Sequence, residues 1–502
     1  MWRGVATSMG AVAVLSGGGC GDNLACAPPP GPLPEGRLAD PSQLPLPADC
    51  VVGGLAEITG RWFLVDPSQT FAFGYPQFEG SCGAGFRRAF APPEDHDASD
   101  GQTYETWSDG TVVLERQSIV YQAGAYELTA AWAFCMLPDG TLAEASGYYD
   151  TDQGTKTATA RGTRFAPRDE LQRGLILAGE LGTSVTGTPI QALDLAIEGA
   201  HAYVAGIGGL DVVDISDPAA PTPVGHLDGS FNDVEISTGD GKVVAYLSPY
   251  GGGRTAVVEV TDPAAPAVLA DLPVYSHTLF RTVRGGATWL YLAASGPDIP
   301  IFDVTHPLAP ARIAQTTVPG PIAGVHDLFA DGDRIYAANT RAGLVAFDVA
   351  AGWDQPHELG HIKTSYSHSV VVGVAGGRPI VVHGDEGMTA TSDGAAFLRV
   401  LDGDPSAPGF MTEIGRYQSR PEVGIHNFQL VGDLLYIAYY QDGVRVIDLS
   451  DPTRPREVAH YNTWNPETAP GGAFEGALGV RVIDRTVYVA DDLRGLLILR
   501  AP

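Results

Sequence analysis

A chain of 502 residues is too long for one ordinary core, so two or three domains are expected. The formal net charge of −29 argues against nucleic acid as a partner and against a direct electrostatic grip on anionic lipid. Hydrophobic residues make up 44%, enough for packed cores, and past the N-terminus no stretch is long and apolar enough to span a bilayer.

The chain opens with Arg3, a short apolar core from Val5 to Leu15, and small residues. The Gly17-Gly18-Gly19-Cys20 segment resembles a bacterial lipoprotein signal, although Gly17 stands where that pattern prefers a Leu-like residue. The resemblance implies that residues 1–20 are an export signal and that Cys20 becomes the lipidated first residue. The product would sit at the outer membrane or cell surface, touching membrane through its lipid alone. Without lipid it would be periplasmic or secreted.

With Cys20 set aside, Cys26, Cys50, Cys82 and Cys135 remain, an even number suited to two disulfides in an oxidising compartment. Of three possible pairings, Cys26 with Cys50 and Cys82 with Cys135 is expected, because each bridge then stays within one segment. No CxxC spacing occurs, which argues against structural zinc.

Residues 21–50 are rich in Pro and Gly and read as a linker. Residues 51–166 carry strand-like runs, among them ITGRWFLV, TVVLERQSIVYQ and YELTAAWAFCML. The breakers SDG (108–110) and PDG (138–140) fall where hairpin turns belong. This predicts a small antiparallel β barrel or sandwich with Trp62 in its core. The acidic loop PPEDHDASDG (92–101) reads as solvated.

From residue 171 a repeat takes over. GLDVVDISDPAAP (209–221), TAVVEVTDPAAP (255–266), IPIFDVTHPLAP (299–310), FLRVLDGDPSAP (397–408) and GVRVIDLSDPTRP (443–455) are copies of one unit. Each copy is the third of four strands. Asp before Pro starts a turn, and the second Pro leads into an edge strand. Four antiparallel strands repeated radially make a propeller. First strands begin near Leu193, Asn232, His277, His326, His368, His426 and Leu478, which predicts seven blades. The last blade stops after its third strand, so the segment near Leu177 should supply the missing one and close the ring.

The third strands resemble the LVIVD repeat of bacterial and archaeal cell-surface proteins. The resemblance covers residues 171–502 and is clearest in YYQDGVRVIDLSDPTRPREVAHYNT (439–463). It implies an all-β, seven-bladed β-propeller at a cell surface and brings no agreed activity with it.

Chemistry has two candidate seats. Four consecutive blades start their inner strand with histidine, His277, His326, His368 and His426, and equivalent places in a propeller converge on one end of the channel. Imidazoles meeting there could hold Fe, Mn, Cu or Zn. Some propeller oxygenases and lyases hold iron or manganese with histidines, which this chain resembles in that arithmetic alone. Strict alternation, however, puts His326 in phase with Leu328 and Ala330, on the face that packs blade on blade. Fourth-strand His226, His361 and His460 fall on the outer rim. The second seat is the loop face at the same end, where Tyr275, Tyr366, His383, Asp385, Glu386, Asp442 and Asp491 would form a polar, acidic mouth.

The first functional reading is therefore a monomeric, lipid-anchored surface module that binds a protein or glycan through this loop face. The alternative is a metal-dependent enzyme of the oxygenase or lyase type, using the inner-strand histidines, with His383, Asp385 or Glu386 assisting proton transfer. No phosphate loop, G-x-S-x-G elbow or HExxH helix is present.

Overall fold

The computed structural model describes residues 44, 46–54, 60–65, 72–74, 77–78, 101–108, 112–121, 126–150, 154–294, 296–321, 324–364, 366–386, 396–466, 468–469 and 474–501. The signal segment, Cys20, Cys26, Cys82 and the loop at 92–100 lie outside them. The chain forms two units, Met1–Ala166 with Pro466–Ala473, and Pro167–Asn465 with Phe474–Pro502. The described secondary structure is β, and among the described residues no helix is long and apolar enough to cross a membrane.

In the first unit the strands Gly101–Ser108, Val112–Tyr121, Tyr126–Met136, Leu142–Asp150 and Gly154–Arg164 form an antiparallel meander. Gly60–Val65 pairs with the last of them, Trp62 opposite Arg164. The PDG segment makes its turn as expected, with Thr141 N donating to Asp139 and Gly140 at a φ of 80° that glycine adopts without strain. Trp62, Phe134, Cys135 and Leu142 are buried.

The disulfide pairing differs from expectation. Cys50 is bonded to Cys135, with Cα atoms 5.6 Å apart. The segment before the first strand lies along the sheet, with Val51 N donating to Met136 O at 2.8 Å, so Cys50 reaches Cys135. Leu46 and Cys50 pack against Cys135, Leu137 and Ala143. Spacing along the chain misleads here because a meander brings distant residues into register.

In the second unit, four-stranded meanders run from Thr278–Arg284 to Ala311–Thr317, from Asp327–Asp331 to His357–Ile362, and from Ser367–Ala375 to Glu413–Tyr417. The meander from Phe428–Val431 to Arg456–Tyr461 gains a fifth strand, Gln172–Arg173. Ahead of these lies a six-stranded sheet with two long strands, His201–Asp214 and Thr222–Gly239. Each changes partner near its middle: Ile207 faces both Gln191 and Ser230, and Phe231 begins a new ladder opposite Pro249. Divided there, that sheet is two more meanders. In the final sheet Ile176–Leu181 lies beside Gly495–Arg500, with Leu177 opposite Leu499.

The first strands of successive meanders touch one another, and the last, Ala477–Ile483, touches Gln191–Glu198. Between first and last meander, Ile190, Ala192, Leu195 and Val204 bury against Tyr488, Ala490, Leu496 and Ile498. The Asp-Pro turns explain themselves locally: Asp214 and Asp448 accept from the amides of Ser216 and Ser450, and Asp217 and Asp451 from Ala219 and Thr453. Three of the turns seat on a glycine of the neighbouring meander's fourth strand. At Gly179, Gly225 and Gly415 a Cβ would collide with Pro218 O, Pro263 O and Pro452 O.

Candidate functional site

The inner strands do not keep strict alternation at their first residue. Pairing skips Leu193, Asn232, His368 and Leu478, a bulge in each strand. His277, His326 and His426 stand at the same place just before their strands, their amides bonded to Ala293 O, Ala338 O and Ala438 O. A bulge re-aims the side chain it carries. The four imidazoles therefore meet in a row, with ring centroids 4.1 Å apart for His277 and His326, 4.1 Å for His326 and His368, and 4.5 Å for His368 and His426.

Three donor atoms within the row share one point. They belong to His326, His368 and Glu386 and lie within 4.8 Å of one another. His326 is 7% exposed, His368 and Glu386 1% each. His326 Nδ1, His368 Nε2 and Glu386 Oε2 are all buried without a hydrogen-bond partner. Such atoms carry a desolvation cost that nothing in the protein offsets. His277 and His426 flank the point without joining it; His426 Nδ1 donates to Leu478 O at 2.7 Å. Two of the four expected histidines thus share the point with a carboxylate from the blade-five loop.

The tautomer of His368 is set by its neighbours. Ser369 Oγ donates its hydrogen to His426 O, so it accepts from His368 Nδ1–H at 2.6 Å. The lone pair on Nε2 is then left facing Glu386 Oε2, 3.7 Å away. Glu386 Oε1 accepts from the Tyr440 hydroxyl, and its amide donates to Tyr366 O. Tyr366 is half-buried, its ring 6.0 Å from that of His326, while Tyr440 packs on His426 and Phe474.

Burial sets the charge state of this cluster. It pushes His277 and His426 down to about 4, with His426 adding to the effect on His277. His326 and His368 fall well below the usual histidine value, by burial first and then by neighbouring imidazoles. Glu386 rises to about 8 through burial, opposed by the Tyr440 hydrogen bond and aided by Asp385. Burial thus works against charge on every member of the cluster.

The loop face is not the open acidic mouth that the sequence suggests. His383, Asp385, Glu386, Asp442 and Asp491 are fully buried. Asp385 pairs with Arg399 at 2.8 Å, Asp442 with Arg420 at 2.6 Å, and Asp491 accepts from the amides of Leu493 and Arg494. His383 Nε2 meets Ser367 Oγ. Burying a carboxylate demands such partners, and the loops fold inward to supply them. Tyr275 remains half-buried. The rest of the blade-five loop, 387–395, lies outside the described residues.

Two of the fourth-strand histidines also depart from the expected exposed rim. His226 meets Asp211 and Ser184, but serine and aspartate both address Nδ1, so no base is poised on serine with an acid behind it. His460 is buried beside Asp169 and Glu457. There Glu457 is held by Arg168, Arg173, Arg445 and the Tyr417 hydroxyl, an ion-pair network that leaves no vacant ligand. Only His361 is exposed, bonded to Ala342 O.

The LVIVD repeat matches residues 191–229 and 426–463. The chain carries LVIVD repeats within a β-propeller fold. No curated protein matches it in sequence. Among solved structures it is similar to the WD40 β-propeller domain of Doa1, at 12% identity and a TM-score of 0.47, over 66% of this chain and 98% of that one. It is also similar to BamB from Moraxella catarrhalis, at 11% identity and a TM-score of 0.41, over 65% of this chain and 97% of that one. Neither bears on the histidine row of this LVIVD-repeat chain.

Proposed function

We propose that this LVIVD-repeat chain is a metal-dependent enzyme of the oxygenase or lyase type, exported and displayed on a lipid anchor at Cys20. We read its sheets as seven blades closed by the strand Ile176–Leu181. The observation that carries the reading is that His326, His368 and Glu386 each bring a ligand atom within 4.8 Å of the others, and that His326 Nδ1, His368 Nε2 and Glu386 Oε2 are buried without a hydrogen-bond partner. Two imidazoles and one carboxylate suit Fe(II), Mn(II) or Zn(II), and the two-histidine, one-carboxylate set is characteristic of non-haem iron oxygenases. Such an ion would supply Lewis acidity or redox chemistry. The protein's own residues prepare the rest: Ser369 orients His368, Tyr440 holds a proton against Glu386, and His277 and His426 wall the ends of the row as neutral rings. A module binding a surface protein or glycan stands second, because the carboxylates it would use are turned inward and paired.

Metal analysis of the purified, folded chain tests this. About one Fe, Mn, Zn or Cu per chain should be found or taken up, and His326→Ala, His368→Ala and Glu386→Gln should each lower occupancy at least tenfold without unfolding the protein. A chain that takes up none of these ions, or variants that retain the ion at full occupancy, would sink the reading.

A further inference from the structure

Glu386 comes to the histidine row with two oxygens that the protein treats differently. Oε2 faces His368 Nε2, 3.7 Å away, and is buried without a hydrogen-bond partner. Oε1 accepts from the Tyr440 hydroxyl. Glu386 and Tyr440 are each 1% exposed, so this division of the carboxylate is set inside the protein.

Tyr440 is brought there by a turn that the repeat uses elsewhere for a shorter residue. The turn at 439–443 joins Leu434–Ala438 to Val444–Asp448. It closes with Tyr439 N donating to Gly443 O at 2.8 Å and Gly443 N donating to Tyr440 O at 2.8 Å. In the meander that begins at Asp327, the turn at 339–343 closes through the same pairs, Asn339 N to Gly343 O at 2.9 Å and Gly343 N to Thr340 O at 3.1 Å. Thr340 and Tyr440 share a left-handed backbone, with φ of 39° and 42°. A side chain in that conformation costs roughly 1–2 kcal/mol. The next meander holds the strained residue in place: Tyr440 N donates to Ala477 O at 3.0 Å and Ala477 N to Tyr440 O at 3.1 Å, as Ser367 N donates to Thr340 O at 2.8 Å. The turn is common to both meanders and the tyrosine is not. Tyrosine carries its hydroxyl a ring's length farther from the backbone than threonine does, and that length spans to Glu386. The ring is wedged on the way, its centroid 5.1 Å from that of His426 and 5.2 Å from that of Phe474.

We propose that Tyr440 is a positioning residue that makes Glu386 a one-oxygen ligand. The inference rests on the metal reading of His326, His368 and Glu386. An unconstrained carboxylate can give both oxygens to one divalent ion. With Oε1 held by Tyr440, Glu386 gives Oε2 alone. The chain then supplies three ligand atoms, the number with which catalytic sites keep a position open for an external donor. A tyrosine needed only to satisfy a buried acid would serve at either oxygen. This one takes Oε1 and leaves bare the oxygen that faces His368.

Cobalt(II) loaded into the full folded chain, with azide as the external donor, tests this. Cobalt absorption reports coordination number, and azide changes it by binding to the ion. The parent chain should bind azide saturably. Tyr440→Phe, compared at equal cobalt occupancy, should show fainter visible absorption and bind azide about tenfold more weakly, because the second Glu386 oxygen takes the open position. A tyrosine with a purely structural role would lower melting temperature or cobalt affinity and leave azide affinity per bound cobalt unchanged, which would overturn the proposal. So would a parent chain that binds cobalt and no azide. Should Tyr440→Phe fail to fold, the crystal structure of the cobalt-loaded parent decides. One Glu386 oxygen on cobalt with the other on Tyr440 supports the proposal; both oxygens on cobalt, or the Tyr440 oxygen on cobalt, overturns it. A chain that binds no cobalt sinks this inference alone, and one that refuses Fe, Mn, Zn and Cu as well sinks the metal reading with it.

Discussion

At the scale of single residues, the chemistry depends on which lone pairs are left free. Ser369 fixes the His368 tautomer through one hydrogen bond in and one out. Ser369→Ala should therefore cut metal affinity by roughly 10–100-fold while His368 and the fold stay in place. Unchanged affinity would show that the serine does not orient the ring. Glu235 gives a pH-dependent counterpart in the channel. Burial raises its carboxyl above 4.5. An acid raised in the folded state contributes its full stability below that ordinary value and loses it as pH rises through the folded one. Glu235→Gln removes this loss. Melting curves from about pH 4 to about pH 8 should show the variant gaining on the parent chain as pH rises, and a constant gap would contradict the assignment. The four histidines were legible in the sequence because repeat phase aligns them. Glu386 as a partner donor was not, since it comes from a loop whose inward turn follows no period.

At the scale of elements, the sequence pattern reads well where local chemistry decides. The Asp-Pro turns form through the side-chain acceptors that their spacing suggests. Two features escape that reading. The bulges at Leu193, Asn232, His368 and Leu478 break strict alternation, and no composition signal marks them. Alternation alone would bury the histidines between sheets. The fourth-strand glycines are visible in VGHL and IGRY, yet their purpose, seating the next Pro turn, depends on a neighbour distant in sequence. Gly415→Ala should lower stability by about 1–3 kcal/mol, the cost of forcing a methyl into a filled contact. Denaturant melts measure it, and an effect under about 0.5 kcal/mol would mean the Pro452 turn yields freely.

At the scale of the whole molecule, recurrence in the sequence announced a radial β architecture, and the pairing of Leu177 with Leu499 joins the two ends of the repeat region. Deleting residues up to 184 should expose the Gly495–Arg500 edge and turn a cooperative melt into an aggregating one. A truncated chain that melts as before would show that strand to be dispensable. The Cys50–Cys135 bridge was not legible, because its partners are brought together by sheet packing and not by proximity along the chain. What the architecture does, in this account, is carry two imidazoles and a carboxylate to one buried point. Anomalous X-ray diffraction from crystals of the metal-loaded chain, at the absorption edge of the bound ion, tests this most directly. The account predicts one strong peak within bonding distance, about 2.0–2.3 Å, of His326 Nδ1, His368 Nε2 and Glu386 Oε2. A peak located elsewhere, or rings and carboxylate well ordered around no peak at all, would contradict it.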